Sequence, residues 1–214
     1  MIIRSNIQGG ELHDFGIGYL IGVLESLDNS LVPIHTEIEN SNIWEVESYC
    51  EHGEYLIGVG FCVMQRYLFD VLQDIEIDPG LARDLGPKSN NGVAVARLIH
   101  SAANYWKHAP EWHMWLQELK PNSQKTVDEV LHTRDSAHYP LSDLLADLCC
   151  KNSVLLVNRL PYLVEWRKAI YEYIEKKCIT NASRGTANAR HFYHALVFVI
   201  TTLYRKFVVA LAAP

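Results

Sequence analysis

The sequence lacks most of the short motifs that identify enzymes. It has no CxxC pair, no HExxH, no nucleophile elbow and no glycine loop with the Lys and Ser or Thr of a P-loop. Zinc sites, phosphate-binding loops and hydrolase nucleophiles depend on those residues at those spacings. We therefore expect neither a metal nor a bound cofactor.

The chain also lacks an excess of positive charge. It carries 19 Lys and Arg against 25 Asp and Glu, for a net charge of −6. A chain with this balance has no general electrostatic attraction to nucleic acid. Contact with RNA would therefore require a local basic patch.

Long apolar runs are scarce as well. The N-terminus MIIRSNIQGG has no apolar core behind a basic start, as a secretory signal would. The most apolar run, 195–204, is about half the length needed to span a bilayer. The five cysteines are an odd number and include one adjacent pair, Cys149 and Cys150. These features predict a cytoplasmic protein with reduced thiols and no membrane segment.

What the sequence does contain is apolar residues at helical spacing along most of its 214 residues. This period predicts an all-α, single-domain helical bundle over 1–214. Two short segments are ambiguous. The segment 28–41 contains Pro33 and is predicted to be a loop, with at most a short strand at 31–38. The segment 153–157 fits either a strand or a helical turn. The predicted helices are 11–27, 54–75, 93 to the proline at 110, 111–119, 123–132, 141–150, 161–178 and 186–211.

The helix that begins after Gly92 is the most informative stretch. At about 100° per residue its side chains separate into two faces. The first is apolar and is predicted to face the core: Val95, Leu98, Ile99, Ala102 and Trp106. The second is a polar stripe where Glu and Lys would be usual on a solvated helix: Arg97, His100, Asn104 and His108. We take the polar stripe as the candidate functional site.

Within this helix the segment ANYWKH resembles the RNxxxH signature of the HEPN superfamily. Members of that superfamily are small helical bundles, and their signature Arg and His form a metal-independent ribonuclease site, commonly across a dimer. Asn104 and His108 match the Asn and His of the signature, whereas Ala103 stands where its Arg belongs. The resemblance implies a HEPN-like fold, a homodimer and a role in a bacterial or archaeal toxin or defence system.

Helical geometry offers Arg97, two turns back on the same face, as a substitute for the absent arginine. RNA cleavage by the 2′-hydroxyl needs a group that titrates near neutral pH and a cation near the phosphate. The predicted catalytic residues are therefore Arg97, Asn104 and His108. Residues predicted to bind the RNA substrate are His100, Lys107, Arg184 and His191.

Two looser matches to the same signature occur later in the chain. One runs from Arg184 to His191 and Tyr193, with Gly185 where a polar residue is usual. The other comprises Arg134, Asp135 and His138 and is one residue too short. Single Arg and His residues at such loose spacing often occur by chance, which is the favoured explanation of the first match. A loop before Pro140 is the favoured explanation of the second, which is the weaker of the two.

A structural interpretation of the stripe stays open beside the catalytic one. In it, Asn104 and His108 cap the helix or meet a neighbouring loop, and Arg97 pairs with an acid. The aromatic residues around Pro110 would then pack against the helix, although exposed ones could stack on RNA bases. That set comprises Tyr105, Trp106, Trp112 and Trp115.

The rival function is a non-enzymatic interaction module, such as an antitoxin, immunity or assembly protein, that binds a cognate protein partner. Ala103 and the acidic net charge favour this rival.

Overall fold

The structure, a computed structural model, describes residues 4–5, 12–13, 15–73, 75–112, 118–131, 138–148 and 154–184. The described residues are predominantly helical, which confirms the all-α prediction. Two 3-10 turns occur, at Ala109–Glu111 and Leu156–Arg159, and the strands Arg4–Ser5 (β1) and Leu12–His13 (β2) form a two-residue antiparallel pair. The helices are α1 Phe15–Asn40, α2 Ile43–Leu72, α3 Pro79–Asp84, α4 Val95–His108, α5 Pro121–Leu131, α6 Pro140–Asp147 and α7 Leu160–Arg184.

The helix α1 continues through the segment predicted as a loop. The prediction for 28–41 is wrong, because α1 runs unbroken to Asn40 with Pro33 inside it. A proline inside a helix removes a backbone hydrogen bond and costs about 3 kcal/mol. Leu24, Leu31 and Ile34 are buried on one face of α1, so tertiary packing offsets that cost.

Among the described residues, the helix α2 is the longest element and lies at the centre of the core. It begins eleven residues before the predicted start at 54 and ends at Leu72. Ile57, Phe61 and Met64 are almost completely buried along it. Its residues 45–72 are long and apolar enough to cross a membrane, with a mean hydropathy of 1.3, yet half of the apolar window is buried inside the protein. The core helix of a soluble protein meets the same criteria.

A buried carboxylate, Asp28, and a half-buried one, Glu54, connect later segments to these first two helices. Asp28 of α1 accepts hydrogen bonds from the backbone amides of Leu156 and Val157 at 2.8 and 2.9 Å. Glu54 of α2 accepts from the amides of Leu141 and Ser142 at 2.7 and 2.8 Å. Burial raises the pKa of Glu54, although these hydrogen bonds oppose the shift. The first turn of α6 and the turn before α7 are thereby fixed on the α1–α2 pair.

Other boundaries differ from the sequence prediction for local reasons. The helix α3 lies in what was predicted as a connection, and the Asp78 side chain caps it by accepting from the Leu81 amide at 2.8 Å. The helix α4 is preceded by Ala94 at the N-cap position, without a side-chain capping hydrogen bond. The ambiguous segment 153–157 ends in the helical turn at Leu156–Arg159.

Part of the prediction lies outside the described residues. Most of the predicted helix 111–119 does, although Trp112 is extended and not helical. The predicted helix 186–211 lies entirely outside them. The chain divides into two units, Met1–Ile170 and Tyr171–Pro214. The first contains α1 to α6 and the start of α7, and the described part of the second is the remainder of α7, so a single domain stays a prediction.

Two helix glycines give opposite predictions for the same substitution. A Cβ at Gly58 of α2 would overlap the indole of Trp106 on α4, whereas a Cβ at Gly22 of α1 would meet no atom of the described residues within 4 Å. We expect Gly58→Ala to lower the free energy of unfolding by about 1–3 kcal/mol through overpacking. Gly22→Ala should raise it by about 1 kcal/mol, since alanine is the better helix former.

Urea unfolding of the two variants measures both changes. Equal effects of the two substitutions would contradict the close packing of α4 on α2 at Gly58.

Candidate functional site

The helix α4 has the two faces that its sequence indicates. Val95, Leu98, Ile99 and Ala102 are at most 2% exposed, and Trp106 is half-buried. Ala103, at the position of the HEPN arginine, is also fully buried. A guanidinium would have to be buried there, which is costly without a paired anion. The core therefore accounts for the small residue at this position.

Arg97, the predicted substitute for that arginine, is held in ion pairs. Its guanidinium contacts the Asp84 carboxylate and lies 3.7 Å from the Glu129 carboxylate. Ser101 also donates to Glu129, which fixes this carboxylate beside α4. Arg97 is eleven residues before His108, about 16 Å along the helix axis at 1.5 Å per residue. Arg97 and His108 therefore do not meet within one chain.

The middle of the stripe faces α2 and surrounds the buried side chain of Gln65, which is 4% exposed. The amide nitrogen of Gln65 lies 3.0 Å from Asn104 Oδ1 and 2.9 Å from His100 Nδ1, and its oxygen accepts from Lys107 Nζ at 2.7 Å. The Asn104 amide nitrogen is 3.1 Å from His100 Nε2. We call Gln65, His100, Asn104 and Lys107 the Gln65 network.

Sequence reasoning did not identify Gln65. A single glutamine inside an apolar helix belongs to no motif. The available signal was its position, since it is an uncharged polar residue among the core residues Met64, Tyr67 and Leu68 of α2. Buried amides are almost always hydrogen-bonded, so such a residue indicates a polar partner on the facing helix.

Electrostatics keep His100 neutral. Burial is the main cause that lowers the pKa of His100 to about 4, and the positive charges of Arg83 and Lys107 contribute to the same shift. The ring also contacts Phe69 edge-on, with 5.8 Å between centroids. A neutral imidazole in this position supplies no charge to a phosphate group, so His100 is suited to structure and not to anion binding.

His108 lies at the open end of the stripe, and its side chain is 48% exposed. Its Nδ1 is 3.3 Å from a Glu111 carboxylate oxygen, and its ring stacks on Trp112 with centroids 6.4 Å apart. Trp112 in turn contacts Tyr105 edge-on at 5.9 Å. The structure therefore joins the end of α4 to the following 3-10 turn through aromatic contacts.

Asn104 and His108 both line a groove of about 600 Å³, which we call the α4–α5 groove. Its charged lining consists of Glu111, Glu118 and Lys120 in addition to His108. The other lining residues are Trp112, Leu119, Asn122, Ser123 and Thr126. Among the described residues the lining of the groove is thus polar, with two glutamates and one lysine.

Most of the remaining candidates lie outside the described residues. Arg184 is the last residue of α7, in the unit Tyr171–Pro214, and its side chain is outside the described residues. His191, Tyr193, Arg134 and Asp135 lie outside the described residues too, and His138 is exposed. Within the described part of the chain, no three His, Cys, Asp or Glu side chains are grouped to hold a metal ion.

The sequence-predicted residues thus fall into three places. Arg97 lies with Asp84 and Glu129, His100 and Lys107 lie in the Gln65 network, and His108 lines the α4–α5 groove. Asn104 belongs to both the network and the groove.

The low pKa of His100 predicts a specific dependence of stability on pH. Because the folded-state pKa of His100, about 4, is below the usual histidine pKa of 6.5, the unfolded chain binds the proton more readily between these values. The stabilising effect of the neutral ring is fully present above pH 6.5 and is lost as the pH falls towards 4. We expect His100→Gln to reduce the loss of unfolding free energy between pH 7 and pH 4.5.

Urea unfolding across this pH range makes the measurement. His52→Gln, an exposed position on α2, controls for the removal of a histidine. The same pH dependence in the wild type and in His100→Gln would show that His100 is not responsible.

Comparison of the chain with protein-family models, with curated proteins and with solved structures finds no match.

Proposed function

We propose that this protein is a non-catalytic helical interaction module that binds a protein partner through the α4–α5 groove. The observation that carries the proposal is the engagement of Arg97 with Asp84 and Glu129. An arginine held between two carboxylates about 16 Å from His108 cannot stabilise a phosphate at His108. The Arg, Asn and His of the HEPN signature are therefore not assembled within one chain.

The surroundings of Asn104 support the same proposal. Asn104 is bonded within the Gln65 network, and its neighbour His100 is neutral at physiological pH. These contacts link α4 to α2, which is a structural role. We infer that α4 serves as a scaffold and that the adjoining α4–α5 groove is the surface for a partner.

The charges of the α4–α5 groove also favour a protein over RNA. Two glutamates, one lysine and a histidine beside Glu111 give the groove no positive potential. Binding to nucleic acid depends on neutralising phosphates with Lys and Arg. The groove instead combines Trp112 with amide and hydroxyl side chains, which is typical of a polar protein interface.

A metal-independent ribonuclease remains the second candidate, because Asn104 and His108 line one open groove, one helical turn apart, together with Lys120. His108 would move the proton and Lys120 would face the phosphate. A homodimer would have to supply the arginine from the other copy. An RNA substrate and a dimer are both proposals of this second candidate.

Incubation with single-stranded RNA in EDTA separates the two candidates. For an interaction module we expect no cleavage by the wild type or by His108→Ala, in EDTA or in magnesium. Cleavage in EDTA that yields cyclic phosphate ends and disappears in His108→Ala would establish the ribonuclease instead. The thermal midpoint of His108→Ala should stay close to that of the wild type, since the side chain is half exposed.

Two matched threonines test the binding surface. Thr126 of α5 lines the groove, and Thr36 lies exposed on α1; each donates to the carbonyl four residues earlier, at 3.1 and 3.2 Å. We expect Thr126→Arg to abolish co-purification of a partner from the source cells, because the added side chain fills the groove. Thr36→Arg should leave the partner bound.

Quantitative mass spectrometry of the tagged proteins gives the comparison. Retention of every partner by Thr126→Arg, or equal loss from both variants, would rule out the groove as the binding site.

A further inference from the structure

Arg159, in the 3-10 turn before α7, is a buried cation without a matching anion among the residues that the structure describes. Arg159 is 3% exposed, and its Nε and Nη1 donate to no acceptor there. None of the ion pairs in the described part of the chain includes it. Arginine stays charged when buried, so an unpaired guanidinium strongly disfavours the folded state.

The immediate surroundings add apolar surface and positive potential. The guanidinium lies 5.7 Å from the centroid of the Tyr162 ring. Leu156 and Leu163, which are close to Arg159 in the sequence, are both buried. Arg159 directly precedes α7, whose N-terminal end carries the positive end of the helix dipole. The first turn of α7 contains no acidic residue that would balance either charge.

The buried carboxylate that contacts this turn is already engaged. Asp28 accepts hydrogen bonds from the amides of Leu156 and Val157, at 2.8 and 2.9 Å. Its two oxygens thus hold the beginning of the turn, whereas Arg159 stands at the end. A bound anion would complete the charge balance at Arg159.

We propose that Arg159 anchors a binding site for a small carboxylate at the N-terminal end of α7. The guanidinium fork matches a carboxylate in two-point hydrogen bonding. A carboxylate carries one negative charge, which balances one guanidinium, and its apolar body suits Tyr162 and the neighbouring leucines. A phosphate dianion is more strongly hydrated and would bring an excess negative charge into an apolar site.

The test is thermal unfolding of the purified full chain in sodium acetate or propionate, with chloride and phosphate at the same ionic strength. For the wild type we expect acetate and propionate to raise the unfolding temperature in a saturable way, by about 5–10 °C at a hundredfold excess over Kd. Arg159→Met should abolish this rise and, without ligand, should unfold at a higher temperature than the wild type, because the unpaired charge is gone. Arg66→Met, at a 75% exposed side chain, is the control and should keep the response.

Three results would overturn the proposal. The first is a higher unfolding temperature of the wild type in phosphate but not in acetate or propionate. The second is a rise with polyglutamate alone, which would assign Arg159 to a polypeptide's carboxylates. The third is an unchanged response in Arg159→Met, or no carboxylate response in the wild type. If Arg159→Met does not fold, Arg159→Lys replaces it. We then expect calorimetry to show at least a tenfold loss of acetate affinity. An unchanged affinity would count against the proposal.

Discussion

The contact between α2 and α4 is the constraint on which the candidate site depends. Trp106 packs against the bare backbone of Gly58, and Tyr55 meets the indole edge-on with ring centroids 5.4 Å apart. About two turns further along α2, Gln65 is bonded to the polar groups of α4. Apolar packing sets the distance between the two helices, and the buried hydrogen bonds set their register. The direction in which each polar side chain of α4 points follows from both.

Because of this packing, the residues of the polar stripe of α4 have different neighbours. Residues of one stripe share a face of the helix, yet Arg97 meets α3 and α5, Asn104 meets α2 and His108 meets the turn that follows. A shared face on a single helix is therefore a weak indicator of a shared site. What assembles a site is the set of elements that pack around the face, and here those elements separate Arg97 from Asn104 and His108, which both line the α4–α5 groove.

The sequence predicted the fold class and most of the helices because apolar periodicity is a local signal. It failed at 28–41, where one proline suggested a loop although Leu31 and Ile34 continued the buried face of α1. The faces of α4 were predictable for the same local reason. The partners of the stripe were not, since Asp84, Glu129 and Gln65 are brought to it by tertiary packing and have no recognisable spacing from it in the sequence. Arg97 shows the limit most clearly, because its availability depends on two acids from other helices.

The hydrogen bonds of Asp28 have a consequence for the order of folding. Asp28 and Leu156 are 128 residues apart, and the carboxylate is 6% exposed in the folded chain. During synthesis α1 and α2 are complete long before the turn at Leu156–Arg159 leaves the ribosome. Until then the Asp28 carboxylate keeps its hydration, and the surface of α1 around it stays wet. Water is therefore excluded from this part of the core only when Asp28 and Leu156, which are distant in sequence, come into contact. This exclusion of water is a late step in folding.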